Sequence, residues 1–143
     1  MRIGIDARKL HDFGIGTYLQ NLLRQLARLD REWEYVLLCR SDDRAWLSTL
    51  GPNFRPVVVG AAPYSVAEQF VLPWRLWREG VDLFHSPHYV LPPLVTCPSV
   101  VTIHDCIHLM FPQYLPNRLA KYYAKVFMWW AAHRSARVVT VSA

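Results

Sequence analysis

Short apolar runs rich in Val and Ile alternate along this chain with longer stretches of helical period. That is the pattern of an α/β domain built on a parallel sheet. The runs Arg2–Asp6, Glu34–Arg40, Phe54–Val59, Val81–His85, Ser99–His104 and Arg137–Ser142 predict six strands. Several are apolar on consecutive residues, as at Val100-Val101 and Val138-Val139. Strands covered by helices on both faces look like that, whereas half-exposed strands alternate. After the first strand, Leu19, Leu22, Leu23, Leu26 and Leu29 recur at helical spacing, with Gln20, Arg24, Gln25 and Arg28 on the opposite face. Thr17 with Gln20 three residues on forms a capping-box pattern, which starts this helix at Thr17. A second helix is expected within Ser65–Glu79, broken or kinked near Pro73, and a third from about Asn117 to Arg134. Prolines 92, 93 and 98 make the stretch between Val90 and Pro98 an extended connection.

Composition narrows the class. The 143 residues are 52% apolar and 19% charged, enough apolar surface to offset chain entropy, so the chain folds. Its length is that of one domain. No apolar run approaches the ~20 residues of a membrane span. The start, Met1-Arg-Ile-Gly-Ile-Asp6, meets an acid at once and is followed by no small-residue cleavage site, unlike a signal peptide. Cys39, Cys97 and Cys106 are odd in number and widely spaced, as expected for reduced thiols in a cytoplasmic protein. The net charge of +5 is unevenly spread, since Arg118, Lys121, Lys125, Arg134 and Arg137 come after Asp105 with no acid among them. Such asymmetry suggests a surface that meets an anionic partner, or else a solvated helix face. No nucleic-acid motif accompanies the charge, so nucleic acid is not an expected partner.

In an open α/β sheet, ligands bind outside the carboxyl ends of the strands, where helix N-termini and free loops converge. The residues just past each strand therefore matter most. Strand one leads into Gly14-Ile15-Gly16-Thr17 at the opening of a helix. Strand four ends in His85-Ser86-Pro87-His88-Tyr89, and strand five in His104-Asp105-Cys106-Ile107-His108. Four of the six histidines, two glycines and an aspartate thus gather on one rim. Glycines before a helix let a phosphate approach unpaired N–H groups, although Gly-x-Gly can also be a plain tight turn. Gly14, Ile15, Gly16 and Thr17 are accordingly candidate phosphate-binding residues. A dinucleotide fingerprint would need a third glycine at Leu19, and no Walker pattern is present. His104 can hydrogen-bond a sugar hydroxyl or a phosphate, or act as an acid or base. Asp105 can accept from a hydroxyl, and both residues could instead satisfy loop backbone groups. His85 and His88 also read as turn residues beside Pro87.

Other chemistries fit less well. The pairs His85-x-x-His88 and His104-x-x-x-His108 offer metal-ligating residue types, but a strand end running into a loop does not align them as a helix would, so no metal is expected. No Gly-x-Ser-x-Gly elbow supports nucleophilic catalysis. The stretch Phe70-Val-Leu-Pro-Trp74-Arg75-Leu-Trp77-Arg78 mixes Trp with Arg as interfacial helices do, and Arg118, Lys121 and Lys125 share a helix face. Both allow peripheral contact with an anionic membrane. Ordinary core aromatics with solvated arginines explain the same residues, and that is the reading expected for the tryptophans.

Several blocks together resemble the opening of a GT-B glycosyltransferase of family 4. They are Ile3-Gly-Ile-Asp6-Ala7-Arg8, Gly14-Ile15-Gly16-Thr17-Tyr18 with Leu22-Leu23, and Asp82-Leu83-Phe84-His85-Ser86-Pro87. Thr102-Ile103-His104-Asp105 and Arg137-Val-Val-Thr140-Val141-Ser142 complete the set in the family's order. The resemblance implies a Rossmann-like N-terminal domain of a retaining, metal-independent transferase that uses a nucleotide sugar and needs no further cofactor. It puts Gly14, Ile15 and Gly16 near the donor diphosphate and His104 and Asp105 against the transferred sugar. His85, Ser86, His88 and Tyr89 become candidates for the side facing a glycan or lipid-linked acceptor. Polysaccharide or lipopolysaccharide synthesis on the cytoplasmic side, with peripheral contact allowed at the inner membrane face, is the setting it implies.

The family's C-terminal domain, with its paired glutamates, has no counterpart in these residues, and the strand and linker that finish the first domain are not seen. The expectation is therefore an incomplete N-terminal domain, with little or no transfer activity by itself. The alternative is a non-catalytic Rossmann-like module that binds a phosphorylated ligand or a partner subunit.

Overall fold

The computed structural model describes residues 1–106, 110 and 118–141. Six strands form one sheet: β1 (Arg2–Asp6), β2 (Glu34–Cys39), β3 (Phe54–Val58), β4 (Leu83–Ser86), β5 (Ser99–Ile103) and β6 (Arg137–Thr140). All pairings are parallel, in the order β3-β2-β1-β4-β5-β6. The expected α/β, Rossmann-like architecture is thus present. In β2, Tyr35, Leu37 and Cys39 enter one core while Val36 and Leu38 enter the other. Burial on both faces is why the run is continuously apolar instead of alternating.

Helix α1 (Phe13–Leu29) covers one face of the sheet through Leu19 and Leu23, joined by the short α2 (Arg44–Leu47) through Leu47. Helices α3 (Glu68–Arg78) and α4 (Arg118–Arg134) cover the other through Leu72, Leu76 and Ala131. The chain puts β2 and β3 on one side of β1 and, after a crossover, β4 on the other. The strand order therefore reverses at β1 and β4, opening a crevice at their carboxyl ends. Among the described residues, no helix is long and apolar enough to cross a membrane.

Three local expectations need correction. Helix α1 starts at Phe13, four residues before Thr17. Its first turn closes with the Gly16 N–H donating to the Asp12 carbonyl at 2.5 Å. The Thr17 hydroxyl donates back to the Phe13 carbonyl at 3.2 Å, and the Gln20 amide donates to the Leu10 carbonyl at 2.9 Å. Both members of the capping-box pattern are thus engaged elsewhere. Pro73 lies inside α3 without ending it, its ring buried beside Leu72 and Leu76, where packing offsets the lost backbone hydrogen bond. The 3-10 turn Ser41–Asp43 and α2 have no counterpart among the expected elements, being too short to show a period.

The two glycines of the Gly14-x-Gly16 pair differ in kind. A Cβ on Gly16 would fall on the Leu10 carbonyl, 2.8 Å from its carbon, so only glycine lets the Lys9-Leu10 turn lie against α1. A Cβ on Gly14 meets nothing. Gly16→Ala is expected to lower stability by about 1–3 kcal/mol through overpacking against backbone. Gly14→Ala should leave stability unchanged or slightly raised, and denaturant unfolding of the two variants side by side checks the contrast.

Candidate functional site

At the reversal point lies a pocket of 180 Å³, lined by Gly14, Ile15, Tyr64, His88, Tyr89, Thr102, His104 and Asp105. Parallel strands deliver these residues to one edge because every strand ends there. The first turn of α1 presents the N–H groups of Phe13, Gly14 and Ile15, which have no acceptor among the described residues, and the Asp12 side chain does not cap them. Unpaired helix-start N–H groups with open access at Gly14 suit an anion. Gly16 and Thr17 do not share that role in this geometry: the Gly16 N–H is spent on Asp12, and Thr17 is exposed with its hydroxyl turned to Phe13.

His104 comes directly after β5. Its Nε2 donates to the Pro87 carbonyl at 2.9 Å, which leaves Nδ1 as an acceptor in the neutral ring. The Tyr18 ring meets His104 edge-on at 5.0 Å between centroids and, with the Pro87 carbonyl, fixes its orientation. The Tyr18 and Thr102 hydroxyls are hydrogen-bonded at 3.2 Å, and Thr102 also contacts His85 Nε2 at 2.9 Å. His85 thus stands behind the pocket wall. Burial, with the charge of His104, lowers its pKa to about 4, so it serves as a neutral hydrogen-bonding strut. Ser86 is fully buried and its hydroxyl is shared between the His88 and Val90 carbonyls, both at 2.9 Å, fixing the turn after β4. Of the four expected acceptor-side residues, His88 and Tyr89 reach the pocket, while His85 and Ser86 do not line it. His108 lies outside the described residues.

Beneath the pocket sits an ionic cluster that sequence reasoning missed. Arg8 clasps Asp6 with two hydrogen bonds, Nε to Oδ1 at 2.9 Å and Nη2 to Oδ2 at 2.7 Å. It also donates to Glu68 Oε2 at 2.9 Å and to the Ala61 carbonyl at 2.8 Å. Asp6, Arg8 and Glu68 are each at most 2% exposed. Burial pushes the Asp6 carboxyl upward, but the hydrogen bonds from Arg8 and His88 and the charge of Arg8 outweigh it and hold it well below the usual carboxylate range. The Val90 N–H donates to His88 Nδ1 at 3.1 Å, so the ring proton is on Nε2, which faces Asp6 Oδ2 at 3.4 Å. One sequence signal was available: Glu68 falls at helical spacing with Leu72 and Leu76, on the apolar face of α3, where an acid needs a buried partner.

Tyr64 forms the aromatic wall. It adopts φ of 64°, a left-handed conformation that a bulky residue rarely takes. Its N–H donates to Glu68 Oε1 at 2.9 Å, and the Lys9 ammonium sits 4.4 Å over its ring. Its ring lies 5.9 Å from His88, 6.2 Å from Tyr89 and 6.3 Å from Tyr123. Burial first, then Tyr64 and the nearby carboxylates, raises the Tyr89 phenol pKa, so it remains a protonated donor. The pocket therefore offers helix-start N–H groups on one side, an imidazole and a carboxylate on another, and flat aromatic rings on the third. Anion, hydroxyl and sugar-ring contacts are the chemistry this can supply. Among the described residues, no group of three or more His, Cys, Asp or Glu side chains is placed to hold a metal ion.

A family model described as Glycosyltransferase Family 4 matches residues 14–143. No curated protein and no solved structure matches the chain.

Proposed function

Because the chain belongs to glycosyltransferase family 4, we propose that its rim pocket takes part in moving a hexose-type sugar from a nucleotide diphosphate sugar to a hydroxyl of a glycan or lipid-linked acceptor. The observation that carries this reading is the convergence of the free N–H groups of Gly14 and Ile15 with His104 and Asp105 around one cavity. In the reaction the bond between the sugar's anomeric carbon and the diphosphate breaks, and the acceptor oxygen takes its place and passes its proton to the departing diphosphate oxygen. Negative charge grows on the departing diphosphate, where the N–H groups and the positive end of α1 stabilise it without rearrangement. His104 Nδ1 and Asp105 hold hydroxyls of the transferred sugar, so most of the acceleration is positioning. Tyr64, His88 and Tyr89 form the acceptor side. Retention of configuration and independence from metal belong to the same reading.

A pocket of 180 Å³ is smaller than the ~300–1,000 Å³ of a complete ligand site, so the reading includes a second, donor-binding domain closing on this rim. The chain alone would then turn over little or not at all. Use of a nucleotide sugar puts the reaction on the cytoplasmic side.

Amide spectra of the ¹⁵N-labelled chain titrated with uridine, guanosine and adenosine diphosphates test the proposal. The expected result is saturable shifts of the Phe13, Gly14 and Ile15 amides together with the His104 imidazole for at least one nucleotide. Shifts confined to other surfaces, or none with any of the three, would overturn it.

A further inference from the structure

The two helices on one side of the sheet are apolar on both faces. Helix α3 turns Leu72 and Leu76 into the core, and α4 turns Ala124, Met128 and Ala131 inward. On their outward sides stand Phe70, Trp74 and Trp77 of α3, and Tyr122, Val126 and Trp129 of α4. These positions repeat at four and then three residues, so each set is one stripe along its helix. Trp77 is 73% exposed, Tyr122 65% and Trp129 57%. The reading of the tryptophans as ordinary core residues is therefore corrected for Trp74 and Trp77, which face outward, as Trp129 also does. The helices are neighbours on one side of the sheet, since the Gln69 amide donates to the Tyr123 hydroxyl at 3.3 Å, and both stripes lie opposite their core-facing residues.

Charge identifies what the surface meets. Arg75 and Arg78 stack on the Trp74 ring at 5.0 and 5.3 Å, and Arg134 on Trp130 at 5.2 Å. Lys121 and Lys125 stand exposed among the aromatic side chains of α4. The acids of these two helices do not offset them. Helix α4 contains none, Glu68 is buried against Arg8, and Glu79 at the end of α3 is paired with Arg55. Interfacial aromatic rings interleaved with cations match the headgroup layer of an anionic bilayer, where rings enter the boundary and Lys and Arg meet phosphate.

We propose that the outward face of α3 and α4 docks this protein on an anionic phospholipid surface, with Trp74, Trp77 and Trp129 inserting at headgroup depth and Lys121, Lys125 and Arg78 pairing with lipid phosphates. This gives a defined surface to the membrane contact that the sequence allowed. It stands independently of the transfer reaction. The surface adjoins the pocket, because Tyr123 of α4 contacts Tyr64 in the pocket wall. A docked protein therefore holds its pocket mouth beside the lipid plane, where a lipid-linked acceptor is carried.

Sedimentation of the chain with extruded vesicles tests this. Binding to phosphatidylcholine containing about one third phosphatidylglycerol should exceed binding to pure phosphatidylcholine by at least about tenfold at moderate salt. Lys121→Glu with Lys125→Glu, and separately Trp77→Ala with Trp129→Ala, should each weaken it by about tenfold. Arg24→Glu with Arg28→Glu, on the opposite side of the sheet, should leave it unchanged. The substituted residues are exposed, so circular dichroism should report an unaltered fold. Failure to bind the anionic vesicles overturns the proposal, as does binding that the α1 charge reversal weakens equally or that the tryptophan substitutions spare. Light scattering adds a further arm: a dimer that Trp77→Ala with Trp129→Ala dissociates, without vesicle binding, would assign the face to a second copy and overturn it.

Discussion

Arg8→Ala is expected to destabilise the protein by about 3–5 kcal/mol, the usual result of removing one partner from a buried ion pair. The guanidinium lies between Asp6 and Glu68, and its loss leaves two carboxylates in an interior that excludes water. Against a typical total stability of about 5–15 kcal/mol, that is enough to shift the denaturant midpoint severely or to unfold the chain. The penalty should depend on pH in a definite direction. Asp6 titrates below its ordinary value of 3.8 in the folded protein, so its contribution is complete above that value and fades as the pH falls beneath it. In the variant, burial acts on Asp6 without the opposing arginine, and the carboxyl takes up a proton more readily. The gap between wild type and variant should therefore be widest near neutrality and narrow on acidification below about pH 4. Urea unfolding of both proteins across that range measures it, and a difference that stayed constant or grew would show that Arg8 acts through packing alone.

Replacing His104 with alanine is expected to lower glycosyl transfer by about 10²-fold, the loss that follows when the transferred sugar is no longer held in position. Under the proposed function, the reaction is followed as donor consumption by this domain joined to a donor-binding one. The Pro87 carbonyl accepts a hydrogen bond from Nε2 and Tyr18 braces the ring, so Nδ1 is left as the free acceptor of a neutral ring. The neighbouring strut separates this role from simple support. His85→Ala removes a partner of Thr102 behind the wall and should cost less activity than His104→Ala, through loosened geometry. Loss at His85 matching that at His104, with both variants fully folded, would move the chemistry off His104.

Strands β1 and β2 were legible because they are buried on both faces, which forces continuous apolar runs, whereas the run at Val138-Val139, expected to be covered on both faces, stands at the sheet edge with all four residues of β6 exposed. Leu19 and Leu23 announced α1 for a similar reason, one stripe of the helix being obliged to face the sheet. Its first residue was misread because Thr17 and Gln20 form a cap pattern locally while their side chains find partners at Phe13 and Leu10. The same limit applies to Gly14 and Gly16: the sequence marks both, but only the fold shows that one faces open space and the other touches the Leu10 carbonyl. Gathering His104, His88 and the start of α1 on one rim came from strand direction. Sending His85 and Ser86 behind the wall did not, because neighbours on a strand end point to alternate sides and the turn decides which one opens outward.

Sequence alone thus determined the α/β class, the six strands and the edge of the sheet where polar residues collect, since burial and chain direction act residue by residue. Tertiary structure decided the rest. The Asp6–Arg8–Glu68 cluster joins residues sixty positions apart, the left-handed Tyr64 depends on the acid beneath it, and the outward aromatics of α3 and α4 are defined only by which face the core leaves uncovered. The physical reason is common to all three: a charge, a strained backbone angle or an exposed ring has its meaning from neighbours that the chain supplies only after folding.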